Sequence, residues 1–312
     1  MSVLLSPEEA RALIWNGLTG SGTSPENAEY FTDAILDTEL SGLEGHGFYW
    51  LQYYCTHLRS GKVDGKATPQ VEALSDTSFR VDARHGFAAM GVYNSYNAAT
   101  LGFHTGYLAR VGLLALGATN AVPNLAPVGG KTPIIGTNPI SYAVPAPGGE
   151  SAFLVDQSAT QVAWTAVERA VEAGERIPLG WALDAEGAPT TDAEAGLAGS
   201  MAPAGGVKGF NIGLLVEVLC AALAGGKLGP DQGSFTDDDG TPIDNGQFFV
   251  AFDPGKPSGG GFDQTITKLV TSITEQDGAR LPNARREANN RQLAKQGIPI
   301  ESELYETLKG FA

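Results

Sequence analysis

Two short stretches decide the fold: Asp156-Gln-Ser-Ala-Thr160 and Pro203-Ala-Gly-Gly-Val-Lys-Gly-Phe210. The first ends an apolar run that begins at Glu150. This run predicts a strand that carries an acid and two hydroxyl groups to its C-terminal end, where open α/β sheets bind ligands. In the second stretch, adjacent glycines let a ligand approach the backbone, and Lys208 adds positive charge where a helix begins. The pair therefore predicts two walls of one anion-binding site. Taken alone, the second stretch is equally compatible with a tight turn before a core helix.

An apolar helix is predicted from Gly209 to Ala224. Its side chains leave almost no polar face, which is typical of a helix that is buried. The residues that set this pattern are Phe210, Ile212, Leu214, Leu215, Val218, Leu219 and Leu223. A buried helix whose N-terminus faces a Gly-Gly-x-Lys-Gly turn suits a phosphate group.

Composition limits the class of protein. The chain has 312 residues with 41 glycines and 18 prolines, which predicts a loop-rich α/β protein of two interwoven lobes. Its formal net charge of -15 argues against nucleic acid and anionic membranes as partners, because both attract clustered lysine and arginine. Cys55 and Cys220 are far apart, and the four histidines lack metal-ligand spacing, so neither a disulfide framework nor a metal site is indicated. With no apolar run of bilayer length, we expect a cytoplasmic protein.

Capping residues and hydrophobic periodicity predict the order of the elements. Ser6-Pro-Glu-Glu9 and Ser24-Pro-Glu-Asn27 each place a capping serine before a proline at the first helical position. The predicted helices span residues 6–20, 24–42, 98–110, 162–174, 209–224, 262–278, 289–296 and 302–309. The predicted strands span residues 70–74, 78–82, 111–117, 140–144, 150–156 and 247–252. Residues 120–139 are predicted to form an ordered loop, and residues 280–286 a basic loop able to contact phosphate.

A histidine lies between two glycines in Gly45-His46-Gly47, just before an aromatic run. The glycines leave room for a ligand beside the imidazole, whose ordinary pKa of about 6.5 suits proton transfer. The alternative is a capping or surface histidine, which is the commoner case for an isolated His-Gly pair. The chain contains no G-x-G-x-x-G and no G-x-S-x-G motif, and the first glycine of a P-loop ending at Lys131-Thr132 would fall at Leu125. Rossmann, P-loop and hydrolase interpretations therefore lose their main support.

Eight motifs follow one another along the chain: Thr119-Asn120, Pro127-Val-Gly-Gly-Lys131, Gly136-Thr-Asn-Pro139, Val155-Asp-Gln-Ser158, Ile177-Pro-Leu-Gly-Trp-Ala-Leu-Asp184, Pro189-Thr-Thr-Asp192, Gly205-Gly-Val-Lys-Gly209 and Arg280-Leu-Pro282. In this order they resemble the malate/L-lactate dehydrogenase family that lacks the Rossmann fold. Ureidoglycolate dehydrogenase, sulfolactate dehydrogenase and piperideine-2-carboxylate reductase are members of that family. The resemblance covers nearly the whole chain.

The resemblance implies a homodimeric NAD(P)H-dependent reductase of a 2-oxo acid, a cyclic imine or a related C=O or C=N substrate. It implies a non-Rossmann α/β fold with a mixed central sheet, interwoven lobes and helical N- and C-terminal segments. Residues 1–75 and 265–312 would form a helical, substrate-side lobe, and residues 76–264 the cofactor-binding lobe. By the same resemblance, NADH or NADPH is held by Asn120, Asp156, Gln157, Ser158, Thr160, Lys208, Gly209, Arg280, Pro282 and Asn283. Hydroxyl groups, exposed backbone and cationic side chains suit ribose and pyrophosphate.

The motif that resembles the family's Ser-His-Gly-x-x-Arg pattern departs from it at two positions. It keeps the proton-donating His46, but Gly45 replaces the serine and Trp50 replaces the arginine. A guanidinium binds a carboxylate with two hydrogen bonds and an indole does not, so Trp50 favours a larger or less acidic substrate. A second family histidine aligns with Asn97, whose amide exchanges no proton near neutral pH. The predicted catalytic residues are His46, Asn97 and Tyr54, and the predicted substrate-binding residues are Trp50, Thr137 and Asn138.

The segment between Phe87 and Asn94 is shorter than in the family by roughly twenty residues, the length of a helix and a strand. Two functions stay open. The first is a nicotinamide-dependent reductase in which His46 donates the proton, and we expect it to act in specialised metabolism. The second is a repurposed member that binds a ligand or catalyses a non-redox step, because the arginine and the second histidine are replaced. A purely structural role has the weakest support.

Overall fold

The computed structural model describes residues 2–43, 45–68, 87–237, 240–255 and 257–312. The strands are β1 (Ser2–Leu5), β2 (Phe87–Ser95), β3 (Leu114–Thr119), β4 (Ile140–Ala146), β5 (Glu150–Gln157), β6 (Ala182–Leu183), β7 (Pro189–Thr190), β8 (Ser200–Met201), β9 (Asn245–Phe252) and β10 (Ile298–Glu301). The helices are α1 (Pro7–Gly20), α2 (Pro25–Leu40), α3 (Phe48–Ser60), α4 (Leu101–Arg110), α5 (Trp164–Glu172), α6 (Ala193–Ala198), α7 (Val207–Glu217), α8 (Phe262–Thr274), α9 (Ala284–Gln296) and α10 (Ser302–Lys309). The strands predicted at 70–74 and 78–82 lie outside the described residues.

The two ends of the chain share one hydrophobic core. α1 begins where the sequence predicts, because Ser6 and Glu9 form a capping box with hydrogen bonds of 2.8 and 3.2 Å. Helices α1, α2, α3 and α10 pack together, and β1 pairs antiparallel with β10. The fully buried side chains of this core include those of Ile14, Ile35 and Leu51.

A five-stranded sheet, in the order β2-β9-β3-β4-β5, forms the centre of the molecule. The family resemblance implied a mixed central sheet. Within the described residues, all four strand pairs of this sheet are antiparallel. The carboxyl ends of β2, β3 and β5 therefore lie at the same edge as the amino ends of β4 and β9. The register fixes this edge, since Ser95 pairs with Asn245 and Gln157 pairs with Ile140. The chain segments that leave this edge surround the site described below.

The prediction that the helix after Gly209 is buried is wrong for this chain. One side of α7 packs against the sheet through buried residues such as Phe210, Gly213 and Val216. The opposite side is exposed, and beyond Glu217 the helix continues as a π-helical turn over Val218–Leu223. Between 44% and 64% of each of these apolar residues is exposed: Val207, Leu214, Leu215, Val218 and Leu223. A mostly apolar helix thus has one face in the core and the other on the surface of the chain.

Other elements differ from the sequence-based predictions at their ends or were not predicted. α4 begins at Leu101 instead of residue 98, because Ala99 has a φ of 51°, which lies outside the helical region. α9 begins at Ala284 instead of residue 289, so the last three residues of the predicted basic loop, 284–286, are helical. α3 and β2 were not predicted as elements, nor were the short strands β6, β7 and β8.

A buried carboxylate joins three segments beneath the edge of the sheet. Glu217, at the end of α7, is only 4% exposed. Its Oε1 accepts hydrogen bonds from Asn120 Nδ2 at 3.2 Å and from the N–H of Gly229 at 2.7 Å. Its Oε2 accepts a hydrogen bond from Asn138 Nδ2 at 2.7 Å. The carboxylate therefore holds the loop of residues 120–139 and the chain near residue 229 against α7.

We predict that Glu217→Gln lowers the free energy of unfolding by about 1–3 kcal/mol, because the new amide group places a donor against one of three buried donors. Urea denaturation gives this value, with Glu175→Gln as the matched control because Glu175 is exposed. Equal denaturation midpoints for the two variants would show that the carboxylate does not hold these segments together.

Candidate active site

A cavity of about 540 Å³ lies at the edge of the central sheet where the strand ends meet. The carboxyl end of β5 contributes residues 156–158, and the loop before β4 contributes Thr137 and Pro139. Residues near the N-termini of α3, α4 and α5 complete it, including His46, Thr100 and Trp164. Because these segments are distant in sequence, the cavity exists only when the helical part and the sheet are assembled.

One of the three described histidines lines this cavity. His46 lies at its wall and is half-buried. His57 is fully buried, and its Nδ1 is 2.5 Å from the hydroxyl of Tyr96. The Nε2 of His104 is 2.8 Å from the carbonyl oxygen of Ala98, and burial lowers the pKa of this imidazole. His46 is therefore the described histidine that a ligand in the cavity can reach.

Glycine residues shape the turn that presents His46. Gly45 has a φ of +86°, a conformation that other residues rarely adopt. A Cβ at Gly47 would collide with the carboxylate of Glu39, which accepts the N–H of Phe48 at the start of α3. The Glu39 carboxylate thus satisfies a helix-terminal N–H that lacks a cap on its own segment. This contact fixes the direction in which α3 leaves the His46 turn.

The other predicted catalytic residues, Asn97 and Tyr54, and the predicted substrate-binding residues occupy different places. Trp50 and Thr137 line the His46 cavity, and so does Asn97, whose Oδ1 accepts the N–H of Ala99 at 2.6 Å. Tyr54 is only 2% exposed and lines a second cavity of about 200 Å³ instead. Burial raises the pKa of the Tyr54 hydroxyl above its usual value. Asn97 lines both cavities, so it separates the two spaces.

Asn120 and Asn138 were predicted to contact the cofactor and the substrate, but neither lines the cavity, and both are completely buried. Besides binding Glu217, the amide of Asn138 donates to the carbonyl oxygen of Gly213 at 2.9 Å and accepts the N–H of Ala121 at 3.1 Å. Asn120 Oδ1 accepts the N–H of Gly246 at 2.9 Å. Their hydrogen-bonding groups are thus used within the protein, because the loop that carries them turns inward.

Asp156 has its charge paired inside the protein. Its Oδ2 accepts the N–H of Gly102, in the first turn of α4, at 3.0 Å and a hydrogen bond from Arg286 Nη1 at 3.1 Å. Arg286 Nη2 also donates to the backbone carbonyl of Asp156 at 3.3 Å. The pair links the end of β5 to both α4 and α9. The next two residues, Gln157 and Ser158, also line the cavity.

The two stretches that the sequence predicts as walls are adjacent. Thr160 pairs with Pro203, and the N–H of Ala204 donates to the carbonyl oxygen of Ala159 at 2.9 Å. Thr160 is buried, and its hydroxyl lies 2.8 Å from Ser158 Oγ. A Cβ at Gly209 would lie 2.8 Å from the oxygen of Ala159, so only glycine allows α7 to start this close to β5.

The remaining predicted cofactor residues lie outside the cavity wall. Lys208 is exposed in the first turn of α7, and Arg280 and Pro282 are exposed between α8 and α9. Asn283, with a φ of 72°, directly precedes α9. Sequence reasoning missed Trp164 and Phe235 and assigned the basic contact to Arg280 instead of Arg286. The helical spacing from Ala284 onward was the available signal, since it places Arg286 in the first turn of α9.

We predict that Arg286→Lys lowers the free energy of unfolding by about 1–2 kcal/mol, because an ammonium group cannot bridge the side chain and the carbonyl of Asp156 as the guanidinium does. Arg285→Lys, one residue earlier and exposed, is the control and is expected to leave stability unchanged. Chemical denaturation distinguishes the two variants. An Arg286→Lys variant as stable as the control would mean that the pair contributes little.

These features define an α/β protein with a histidine-bearing ligand cavity and a glycine-rich helix start beside it. The chain belongs to the malate/L-lactate dehydrogenase family, which matches residues 5–90 and 83–309. It is 37% identical over 333 residues to (2R)-3-sulfolactate dehydrogenase (NADP(+)) of Chromohalobacter salexigens, covering 100% of this chain and 99% of that protein. It is 33% identical over 331 residues to Δ1-pyrroline-2-carboxylate reductase 1 of Burkholderia ambifaria, covering 98% and 96% of the two chains.

The fold is similar to that of the crystal structure of Δ1-piperideine-2-carboxylate reductase from Pseudomonas syringae. The TM-score is 0.90 at 29% identity, and the match covers 99% of this chain and 100% of the other. These similarities confirm the predicted family, the α/β fold and the enzyme class, an oxidoreductase that uses a nicotinamide cofactor. The alignment with the sulfolactate dehydrogenase extends over 333 positions although the chain has 312 residues, so at least 21 positions have no counterpart here. This number is close to the roughly twenty residues expected from the sequence, and their location between Phe87 and Asn94 stays a prediction.

No helix among the described residues is long and apolar enough to cross a membrane.

Proposed function

We propose that the protein reduces the C=O bond of a 2-oxo acid or the C=N bond of a cyclic imine, with His46 as the proton donor and NADH or NADPH as the reductant. The observation that carries this proposal is the position of His46, held by a glycine turn at the wall of the 540 Å³ cavity. The sulfolactate dehydrogenase and pyrroline-2-carboxylate reductase relatives support the two substrate classes.

The residues at the start of α7 fit the pyrophosphate of a dinucleotide. Gly205 and Gly206 have φ values of +63° and +68°, and the space beside each is open, so a phosphate can approach the backbone. α7 has no side-chain cap, so its first N–H groups are available to an anion, and Lys208 adds a positive charge. Ser158, on the adjacent stretch, supplies a hydroxyl beside the cavity. We infer that these groups hold the cofactor next to His46.

The chemistry divides between the cofactor and the protein. A bound reduced nicotinamide supplies the hydride that is added to the carbon of the C=O or C=N bond. The His46 imidazolium donates a proton to the oxygen or nitrogen of that bond. Asn97 does not exchange protons, so its side-chain amide orients the substrate by hydrogen bonding. The Glu39 contact and the flanking glycines keep the imidazole directed at the cavity.

Residues predicted as direct contacts have a different role in this proposal. Asn120 and Asn138 position the loop of residues 120–139, which forms one wall, and Asp156 with Arg286 positions the end of β5.

We retain the division into a lobe of residues 1–75 and 265–312 and a lobe of residues 76–264. The hydrophobic core shared by both chain ends supports it. A cytoplasmic location is proposed because both cysteines, Cys55 and Cys220, are buried free thiols.

We predict that His46→Gln lowers kcat by a factor of about 10²–10⁴, the usual contribution of a general acid, while the affinity for the reduced cofactor is unchanged. The absorbance of the reduced nicotinamide measures turnover with pyruvate-like 2-oxo acids and with Δ1-piperideine-2-carboxylate. Cofactor fluorescence measures binding, and the melting temperature of the variant serves as the folding control. Turnover of the variant within twofold of the unchanged enzyme would exclude His46 as the proton donor.

We further propose that the protein is a homodimer whose contact includes the exposed face of α7. Five apolar side chains on α7 and the following π-helical turn are between 44% and 64% exposed. Monomeric soluble proteins rarely leave so large a contiguous apolar face in water, and a second copy of the same chain buries it symmetrically.

We predict that Leu215→Glu converts the dimer into monomers, because a desolvated, unpaired carboxylate would lie in the contact. Light scattering coupled to size-exclusion chromatography reports the mass. Leu269→Glu is the matched control, since Leu269 is also exposed, at 46%, but lies on α8. A dimer with Leu215→Glu, or a monomer before any substitution, would contradict the assignment.

A further inference from the structure

A buried hydroxyl group without a partner lies in the wall of the His46 cavity. Thr165, in the first turn of α5, lines this cavity, and only 4% of the residue is exposed. Its Oγ1 is buried and has no hydrogen-bond partner among the described residues. Burying a hydroxyl without a partner costs free energy, and proteins keep few such groups. Because this one belongs to the wall of a ligand cavity, its position indicates that a ligand supplies the partner.

The side chain of Thr165 lies against the turn that carries the proposed proton donor. A Cβ at Gly45 would lie 3.0 Å from Thr165 Oγ1 and 3.2 Å from Thr165 Cβ, so this side chain fills the space beside Gly45. The turn resembles a Ser-His-Gly pattern in which Gly45 replaces the serine, and α5 brings a hydroxyl group to the same turn. The hydroxyl is therefore next to the residue that precedes His46, at the end of the cavity where the proposed reaction takes place.

The Thr165 hydroxyl can turn toward a ligand without losing a hydrogen bond. Threonine side chains in helices occupy more than one χ1 rotamer, and rotation about χ1 moves Oγ1 from one staggered position to another. Since Oγ1 has no partner in the described part of the chain, this rotation breaks no hydrogen bond. A ligand oxygen in the cavity then gains a donor, and the hydroxyl gains the partner that it lacks within the protein.

We infer, building on the proposed reductase, that Thr165 is a substrate-binding residue whose hydroxyl donates a hydrogen bond to the substrate carboxylate. In a 2-oxo acid or a cyclic 2-imino acid, the carboxylate is bonded to the carbon that receives the hydride. The carboxylate therefore lies at the His46 end of the substrate, where Thr165 meets the turn. An ionised carboxylate has only acceptor oxygens, and a hydroxyl group supplies a donor.

Two substitutions separate the hydroxyl from the shape of the side chain. Thr165→Val keeps the shape and removes the hydroxyl. We expect it to lower kcat/KM for Δ1-piperideine-2-carboxylate and for 2-oxobutanoate by a factor of about 10–100, the usual effect of a hydrogen bond to a charged group. The change is expected chiefly in KM, because the carboxylate is held both in the bound substrate and in the transition state. Thr165→Ser keeps the hydroxyl and is expected to retain most of the activity.

Substrates without the carboxylate test which group the hydroxyl contacts. Δ1-Piperideine has the same ring and the same C=N bond as Δ1-piperideine-2-carboxylate, and 2-butanone has a methyl group in place of the carboxylate of 2-oxobutanoate. Thr165→Val is expected to leave kcat/KM for these neutral compounds unchanged, since the removed donor has no partner in them. If the enzyme does not reduce a neutral compound, its inhibition constant against the matching acid gives the same comparison.

Melting temperatures distinguish a binding role from a structural one. Thr165→Val is expected to melt at the same temperature as the unchanged enzyme or higher, because it removes a buried polar group that has no partner in the protein. Thr105→Val is the matched control. Thr105 is also buried, but its Oγ1 lies 2.6 Å from Ser141 Oγ and it does not line the cavity. The control is expected to melt at a lower temperature and to keep its kcat/KM.

The outcomes separate the contact from the reductase. Full activity of Thr165→Val, or an equal loss with and without the carboxylate, would overturn the contact and leave the reductase intact. A melting temperature lowered as far as that of Thr105→Val would reveal a structural partner of the hydroxyl and would also overturn the contact. If the unchanged enzyme oxidises neither NADH nor NADPH with any 2-oxo acid or imine, the reductase fails and the contact with it. A loss confined to the carboxylate-bearing substrates, at an undiminished melting temperature, supports both.

Discussion

The site depends on a buried carboxylate that has no direct access to it. Glu217 accepts three hydrogen bonds, from Asn120, Asn138 and the backbone of Gly229, in a place closed to water. A buried carboxylate is stable only when such donors surround it. Two of these donors lie in the loop of residues 120–139 and the third lies near residue 229, and Asn138 bonds to α7 a second time through the carbonyl oxygen of Gly213. Satisfying one charge therefore places the loop of residues 120–139 at the edge of the sheet and opens the cavity in front of it.

The antiparallel sheet gives the cavity an unusual mixture of strand ends. The carboxyl ends of β2, β3 and β5 and the amino ends of β4 and β9 meet at one edge, so the cavity does not lie over a row of like-directed strands. We predicted a ligand at the end of β5 from the rule that ligands bind at the carboxyl ends of parallel strands. The strands of this sheet are antiparallel, so that rule does not explain why the end of β5 lines the cavity. The cavity wall includes that end because Asp156 is tied to α4 and α9.

Local signals in the sequence were sufficient for elements with clear ends. The capping serines and prolines predicted α1 and α2, and the glycine turn at Gly205 predicted the start of α7. Such signals could not predict that one face of α7 is exposed, because the apolar pattern of a helix is the same whether its own chain or another chain covers it. Phe235 was missed for a similar reason, since its place on the cavity wall depends on Lys62, more than a hundred residues earlier in the chain. Asn120 and Asn138 were found by family resemblance, but only coordinates show that their amides face inward.

The pairing of β1 with β10 has a consequence for how the polypeptide matures. Residues 2–5 bond to residues 298–301, so β1 has no partner strand until a segment far later in the chain has been synthesised. Contacts between such distant segments close a very long loop, and topologies rich in them fold slowly. During synthesis on the ribosome, the helical part of the molecule therefore stays incomplete until β10 has emerged. Deleting residues 298–312 would remove the partner of β1, together with α10, and leave the first helices without part of their shared core.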